Sequence, residues 1–359
     1  MSHPIRVGVI GCGAIAQIQH LPNLAAVPEV FSIGGICDLS EQLLAHVGNK
    51  FHVPAARRFR DYRDLINSDI DAVIVCPSGT HAPQSIAAAQ AGKHVLVEKP
   101  ACVTVREAEE MVQAADSEGT VLQVAYMKRY DPGYVYAKRT VEGMTDVRFI
   151  QVNHLHPDNK LHLADFDYLV PTDFPASAAR ELGVSTDKLL REALGREVDA
   201  HVRGAFHALN GSMIHDIGNL HGIFGSPSRV VSTEIWAGGR AFSTVLEYEN
   251  EVRAVATWVD LPELWHFRET LEVYGSRERV LVSFPSGFAR GLATHVTVEQ
   301  IEGEGLASAR NLEWHEDAFT NELLHFGDCI TGGTLPNTPG SELIEDVGLV
   351  RDIVLAYLD

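Results

Sequence analysis

Cysteine is scarce in this chain. Five occur among 359 residues, at Cys12, Cys37, Cys76, Cys102 and Cys329. Their number is odd, their spacing irregular, and no CxxC pair occurs, so a disulfide framework is a poor reading and reduced thiols in a cytoplasm a better one. Basic residues are few as well: 29 against 48 acidic ones, a formal net charge of −19. So acidic a chain repels phosphate backbones and anionic bilayers, which argues against nucleic acid or membrane as a partner. No apolar run approaches the ~18 residues that span a bilayer. No charged stretch followed by an apolar one precedes the first strand-like run, so no leader is expected. Repeats and low-complexity segments are lacking too. What remains is a cytoplasmic chain, 45% hydrophobic, with length enough for two domains.

The first 125 or so residues alternate between two patterns. Ile5–Ile10 is β-rich and enters Gly11-Cys12-Gly13-Ala14-Ile15-Ala16, after which a helical stretch runs to Leu24. Strand, glycine turn and helix together form the context of a dinucleotide fingerprint. Gly11 permits the turn, Gly13 lets the backbone approach a pyrophosphate, and Ala16 lets the helix pack on the strand. The next strand-like run ends at Cys37 and is followed by Asp38. An acid there accepts hydrogen bonds from ribose hydroxyls and repels a 2′-phosphate. Leu39-Ser40-Glu41 offers no arginine to receive one, so NAD is expected rather than NADP. Further units follow: a helix over 40–51 capped by Ser40 or Asp38, the apolar strand 71–76, an alanine-rich helix stopped by Gly92, a helix from Thr104 with Glu107 completing a capping box, and a strand over 121–125. The alternation predicts an α/β domain over 1–126 with a doubly wound parallel sheet.

One stretch in this domain has an ending that strand-building does not require. Val95-Leu96-Val97 runs straight into Glu98-Lys99-Pro100. A lysine at the C-terminal end of a parallel strand faces the crevice where open α/β sheets bind ligands, which makes Lys99 a candidate catalytic group.

From residue 147 the pattern changes to successive strands: 147–154, 229–236, 243–249, 252–259, 269–274, 280–284 and 295–300. These predict an α+β domain over 127–359 with an open, largely antiparallel sheet. Residues 161–210 read as an insertion with a helix over 186–209. Residues 319–331 and 343–358 read as amphipathic helices, the last a candidate to pack back on the first domain. At the end of the first of these strands, His154 and His156 share one face. HxH is a metal-ligand spacing, and His207, His215 and His221 could join it. Contact with a hydroxylated ligand and a purely structural role compete with that reading, and no metal is assigned.

Taken together, the GxGxxA turn, the strand ending at Asp38, Asp71-Ala-Val-Ile-Val-Cys-Pro-x-x-x-His81, Ala91-Gly-Lys-His-Val-Leu-Val-Glu-Lys-Pro100 and Arg129-Tyr-Asp-Pro132 resemble the Gfo/Idh/MocA oxidoreductase family. The resemblance implies a Rossmann domain and NAD(P)-dependent chemistry on sugars, inositols and related polyols. It implies that Lys99 is catalytic and that the bond before Pro100 is often cis. It brings Pro77, Ser78, His81, Glu98, Lys99 and Pro100 to the cofactor beside Gly11–Ala16 and Asp38. It also makes Arg129, Tyr130, Asn153, His154 and His156 candidates for holding substrate hydroxyls. The stretch from Gly211 to Gly225 resembles the family's substrate-domain helix, with His215 as acid/base ten residues before the glycine. The family often carries an aspartate four residues before that histidine, and here the position is Gly211. A competing register places Asp216 on that aspartate and Leu220 on the histidine. The open sheet is expected to serve in a homodimer or homotetramer. Two other readings stand beside the sugar dehydrogenase: an inactive NAD-sensing regulator, and a reductase of an imine or other non-sugar substrate.

Overall fold

The computed structural model describes residues 3–288, 290–303 and 305–359. They form two compact units, neither continuous in sequence. The first comprises Met1–Ala125, Phe166–Gly195 and Phe319–Val347, the second Tyr126–Asp165, Arg196–Ala318 and Gly348–Asp359. A single change of domain near residue 126 therefore does not describe the chain. More than half of the expected insertion and most of the penultimate helix belong with the first unit, with Leu190, Leu194, Leu323 and Phe326 buried.

The first unit is built on β1 (Ile5–Ile10), β2 (Phe31–Cys37), β3 (Arg58–Phe59), β4 (Ala72–Val75), β5 (His94–Val97) and β6 (Leu122–Val124). All pair in parallel, in the order β3-β2-β1-β4-β5-β6. Every residue of β4 is fully buried, as a central strand covered on both faces requires, and each large side chain so buried contributes roughly 1.5–3 kcal/mol. Ser40 caps the Glu41–Lys50 helix by accepting the Leu43 N–H, and Thr104 and Glu107 form the expected capping box. Leu323 and Phe326 join the same core as Val7, Val9 and Ile36. The edge at β6 is covered by a later stretch of chain: the Val124 N–H donates to Thr338 and the Gly340 N–H to Leu122. An edge so covered does not offer its ladder to another chain. Strand order reverses between β1 and β4, the switch point at which such sheets open a crevice.

The expected helix over 186–209 is in fact two. Ala176–Leu194 ends at Gly195 in the left-handed region (φ 67°), and Ala200–Ala208 starts anew with Asp199 capping Val202. Gly195 stops the first helix as glycine commonly does, a signal that the apolar periodicity on either side concealed.

The second unit carries β7 (Val147–His156), β8 (Arg229–Trp236), β9 (Ala241–Glu247), β10 (Arg253–Asp260), β11 (Arg268–Gly275), β12 (Glu278–Phe284), β13 (Thr294–Glu302) and β14 (Leu306–Trp314). Their order is β14-β13-β12-β11-β7-β10-β9-β8, antiparallel throughout except that β7 and β10 run parallel. β14 was not anticipated: its Ala-Ser-Ala-Arg-Asn run lacks the β-branched residues that mark a strand. Among the described residues no helix is long and apolar enough to cross a membrane.

Candidate functional site

Gly11 stands at the end of β1 with φ +95°, a conformation that costs glycine little. A Cβ there would lie 2.5 Å from the nitrogen of Pro77, at the end of β4, so the two loops of the switch point touch. At Gly13 an added Cβ would meet nothing within 4 Å, the open approach that a pyrophosphate needs. A cavity of about 370 Å³ opens here, lined by Gly11, Gly13, Asp38, Arg60, Pro77, Ser78 and, from the insertion, Pro171 and Phe174 among others. The Asp38 carboxylate accepts the backbone N–H groups of Cys12 and Ser40, both at 2.8 Å. Burial raises its pKa, and these hydrogen bonds work against the rise. The residues present thus fit a dinucleotide: a tight turn, an open backbone, and an acid beyond the second strand. Cys12, Ala16, His81 and Glu98, expected at the cofactor, are buried and absent from this lining. Ala14 and Ile15 are half-buried at the start of the helical segment that follows the turn.

Lys99 is half-buried at the end of β5, and the Lys99–Pro100 peptide is cis. Its neighbour Glu98 holds the loop. One carboxylate oxygen of Glu98 meets His20 Nε2 at 2.9 Å, the other accepts the Lys99 N–H at 3.0 Å, and the carbonyl meets His81 Nδ1 at 2.6 Å. The second nitrogen of His81 reaches the Pro77 carbonyl at 2.7 Å, which ties the end of β5 to the end of β4. Burial works to raise the Glu98 pKa, but the His20 hydrogen bond and the charges of His20, Lys99 and His81 leave it below the ordinary carboxyl value. A depressed acid contributes stability that is present above its unfolded pKa and lost as pH falls through the folded one. Stability of the protein is therefore expected to fall more steeply below about pH 4 than that of Glu98→Gln, by urea unfolding across that range. Equal slopes would show that Glu98 titrates alike in both states.

In the second unit, register builds a polar cluster on a buried face. His154 on β7 stands opposite Trp258 of β10 and Glu269 of β11. Asp216 from the Ile214–Phe224 helix meets His154 Nδ1 at 2.7 Å, and Glu269 lies 3.6 Å from the same nitrogen. The Lys128 ammonium pairs with Glu269 and lies over the rings of Phe267 and Phe284. All four charged or titratable side chains are buried. Burial, and then the charge of Asp216, raise the Glu269 pKa. A carboxylate on Nδ1 sets the tautomer of a neutral His154, leaving Nε2 as acceptor. That nitrogen faces His156 Nδ1 at 3.2 Å and the Ser212 hydroxyl at 3.4 Å, and Ser212 in turn accepts from Trp258 Nε1 at 3.0 Å. His156 is stacked on Trp258. His154, Asp216 and Glu269 bring ligand atoms close enough for an ion, but the position beside Glu269 is taken by the protein's own cation, Lys128.

Sequence reasoning found His154 and His156 and missed Lys128, Asp216 and Glu269, whose partners come from separate elements. Asn153 does not join them: period two turns it to the opposite face, where it accepts from Gln151. Arg129 and Tyr130 are buried, Arg129 against Gly222 of the Ile214–Phe224 helix. His215 is half-buried on that helix. Gly211 precedes it in a wider turn over Leu209–Met213, where an added Cβ would meet nothing within 4 Å. Asp216, the residue after His215, places its carboxylate on His154.

The N-terminal region matches a family model described as an oxidoreductase family with an NAD-binding Rossmann fold, over residues 5–126. That model is the Gfo/Idh/MocA one, the family that the motifs of this stretch resemble. An inositol 2-dehydrogenase of Paracoccus denitrificans is 32% identical over 183 residues, which are 50% of this chain and 53% of that protein. The chain thus spans about half the length of that curated relative. An uncharacterized oxidoreductase of Bacillus subtilis, YrbE, is 25% identical over 94% of this chain and 89% of its own. The fold of the whole chain resembles that of KijD10, a 3-ketoreductase from Actinomadura kijaniata solved in complex with NADP, with a TM-score of 0.72 at 20% identity over 99% of this chain and 98% of that one.

Proposed function

We propose that the protein is an NAD-dependent oxidoreductase acting on a ring hydroxyl or ketone of a sugar, glycoside or inositol-type polyol. The observation that carries this reading is the crevice at the switch point, with its open Gly13 and its acid at Asp38; Lys99 follows β5, the strand next to β4, and is outside the cavity lining. Gly11, Gly13, Asp38, Pro77 and Ser78 would hold NAD, which when bound accepts or returns the hydride. Lys99, as an ammonium, donates a hydrogen bond to the reacting oxygen and stabilises alkoxide charge developing there. His215 takes the hydroxyl proton during oxidation and returns it during reduction. His156, held through its Nδ1 and stacked on an indole, suits a polyhydroxylated ligand, which needs polar groups on an aromatic floor. The Paracoccus relative, an inositol 2-dehydrogenase, supports the same substrate class. The test is NADH formation against a panel of inositols, aldoses, glycosides and sugar acids. Turnover of at least one, lost in His215→Ala, is expected. Tight NAD binding with no turnover of any would replace this reading by that of a regulator.

A further inference from the structure

The insertion reaches the cofactor cavity at one defined place. Pro171 and Phe174 line the cavity that Asp38 lines. Between them, the Asp173 carboxylate accepts the Ser40 hydroxyl through Oδ1 and the Gln42 backbone N–H at 3.0 Å through Oδ2. The residues that lead into this contact are tied as well. Gln42 accepts the Thr172 N–H at 3.1 Å and donates to its hydroxyl at 3.1 Å. Gln17 donates to the Leu169 carbonyl at 3.0 Å and accepts the Leu169 N–H at 2.8 Å.

Ser40 and Gln42 are the cap and second residue of the Glu41–Lys50 helix. They follow Asp38 at the end of β2, where a dinucleotide fold reads the 2′ position of the adenosine ribose. A helix N-terminus there offers its free N–H groups to an anion. In this chain the anion is already a carboxylate of the protein. Asp38 adds a second negative charge beside it, and burial together with the charge of Asp173 raises the Asp38 pKa. Arg60, the cation in the cavity lining, is committed elsewhere: it donates to Glu41 at 2.7 Å and to the Leu39 carbonyl at 3.0 Å.

We infer that Asp173, carried on the insertion, is a cofactor-specificity residue whose carboxylate takes the anion position beside Asp38 and excludes the 2′-phosphate of NADP. This rests on the reading of the cavity as a dinucleotide site. The insertion is then part of the cofactor machinery rather than an elaboration of the substrate side.

The experiment is the dissociation constants of NADH and NADPH, from nicotinamide fluorescence, for the parent protein, Asp173→Asn and Asp173→Lys. The parent should bind NADH the tighter. Asp173→Asn should tighten NADPH by roughly tenfold, the size of one unit charge a few ångström away at a partly solvated site, with NADH within about threefold of the parent. Asp173→Lys should go further, with an NADPH affinity that declines as salt is added. Gln42→Ala loosens the segment without removing the charge and should leave the NADH-to-NADPH ratio in place. A ratio unmoved in both Asp173 variants overturns the inference, as does a parent that prefers NADPH. Equal weakening of both dinucleotides, the result of a merely structural role, overturns it too. A parent that binds neither dinucleotide overturns the reading of the cavity along with it.

Discussion

Replacing Lys99 by alanine is expected to lower turnover by about 10³-fold while NAD affinity stays within about threefold of the parent. The two effects separate because Lys99 and the dinucleotide cavity are built from different contacts. The cavity depends on the close approach of Gly11 to Pro77 and on Asp38. None of these needs the lysine side chain. The loop that carries Lys99 is held by Glu98 through His20, His81 and the Lys99 backbone N–H, and all of these survive truncation of the side chain. What goes is a positive charge beside an oxygen that becomes an alkoxide. Lys99→Arg keeps the charge but changes its shape and reach, and should recover part of the loss. Steady-state rates on the substrate found in the panel, beside NAD titrations, check this. Parental turnover in Lys99→Ala would sink the assignment.

The second large effect concerns stability. Lys128→Met leaves Glu269 and Asp216 buried without their cation and should cost about 3–5 kcal/mol. Glu269→Leu alone should be costly as well, since it strands the ammonium. The pair Lys128→Met with Glu269→Leu should lose far less than the sum, because the His154–Asp216 contact at 2.7 Å remains and the apolar replacements suit the rings of Phe267 and Phe284. The deficit of Lys128→Met carries a pH signature. A carboxyl whose folded pKa is raised has a cost that is absent at low pH and grows as pH rises through the interval up to that folded value. The single variant should therefore unfold closer to the parent near about pH 5 than near about pH 8. Urea midpoints at both pH values, with the double-mutant cycle, decide it. Additivity within about 0.5 kcal/mol would mean that the two side chains do not depend on each other.

The cofactor half of the molecule was legible because its signals are local. A glycine turn after an apolar strand, an acid after the next, and a capping box each lie within a few residues, and each appears where the spacing places it. Asp38 was recognised by position and is found in the cavity lining. The buried cluster was not legible, for the opposite reason. Lys128 sits before Arg129 and Tyr130 in a polar-looking stretch, and Glu269 stands between Arg268 and Thr270 in another. The lateral register of β7 and β11 sets Glu269 beside His154, and the turn at Met127–Tyr130 brings Lys128 to it. The later returns of the chain to the first unit were hidden likewise. Leu169, Leu323 and Phe326 are ordinary apolar residues whose burial in the first core depends on where the chain returns. Asp216 enters the sequence reading only as a substitute for Gly211 and not as the partner of His154.

The parallel pairing of β7 with β10 has a consequence for how this protein can be altered. Two parallel neighbours cannot be joined by a tight turn, so β7 and β10 are linked by a long stretch of chain, and the part of it before β8 begins at Arg229 is a connection outside the sheet. The chain leaves the second unit at Asp165 and re-enters it at Arg196 within that connection. A detour of this kind can be shortened, lengthened or exchanged without shifting the register of either sheet. Coenzyme preference, where it depends on Asp173, is then a cassette: a property that recombination or grafting can move between scaffolds while the strands that carry the chemistry stay in place.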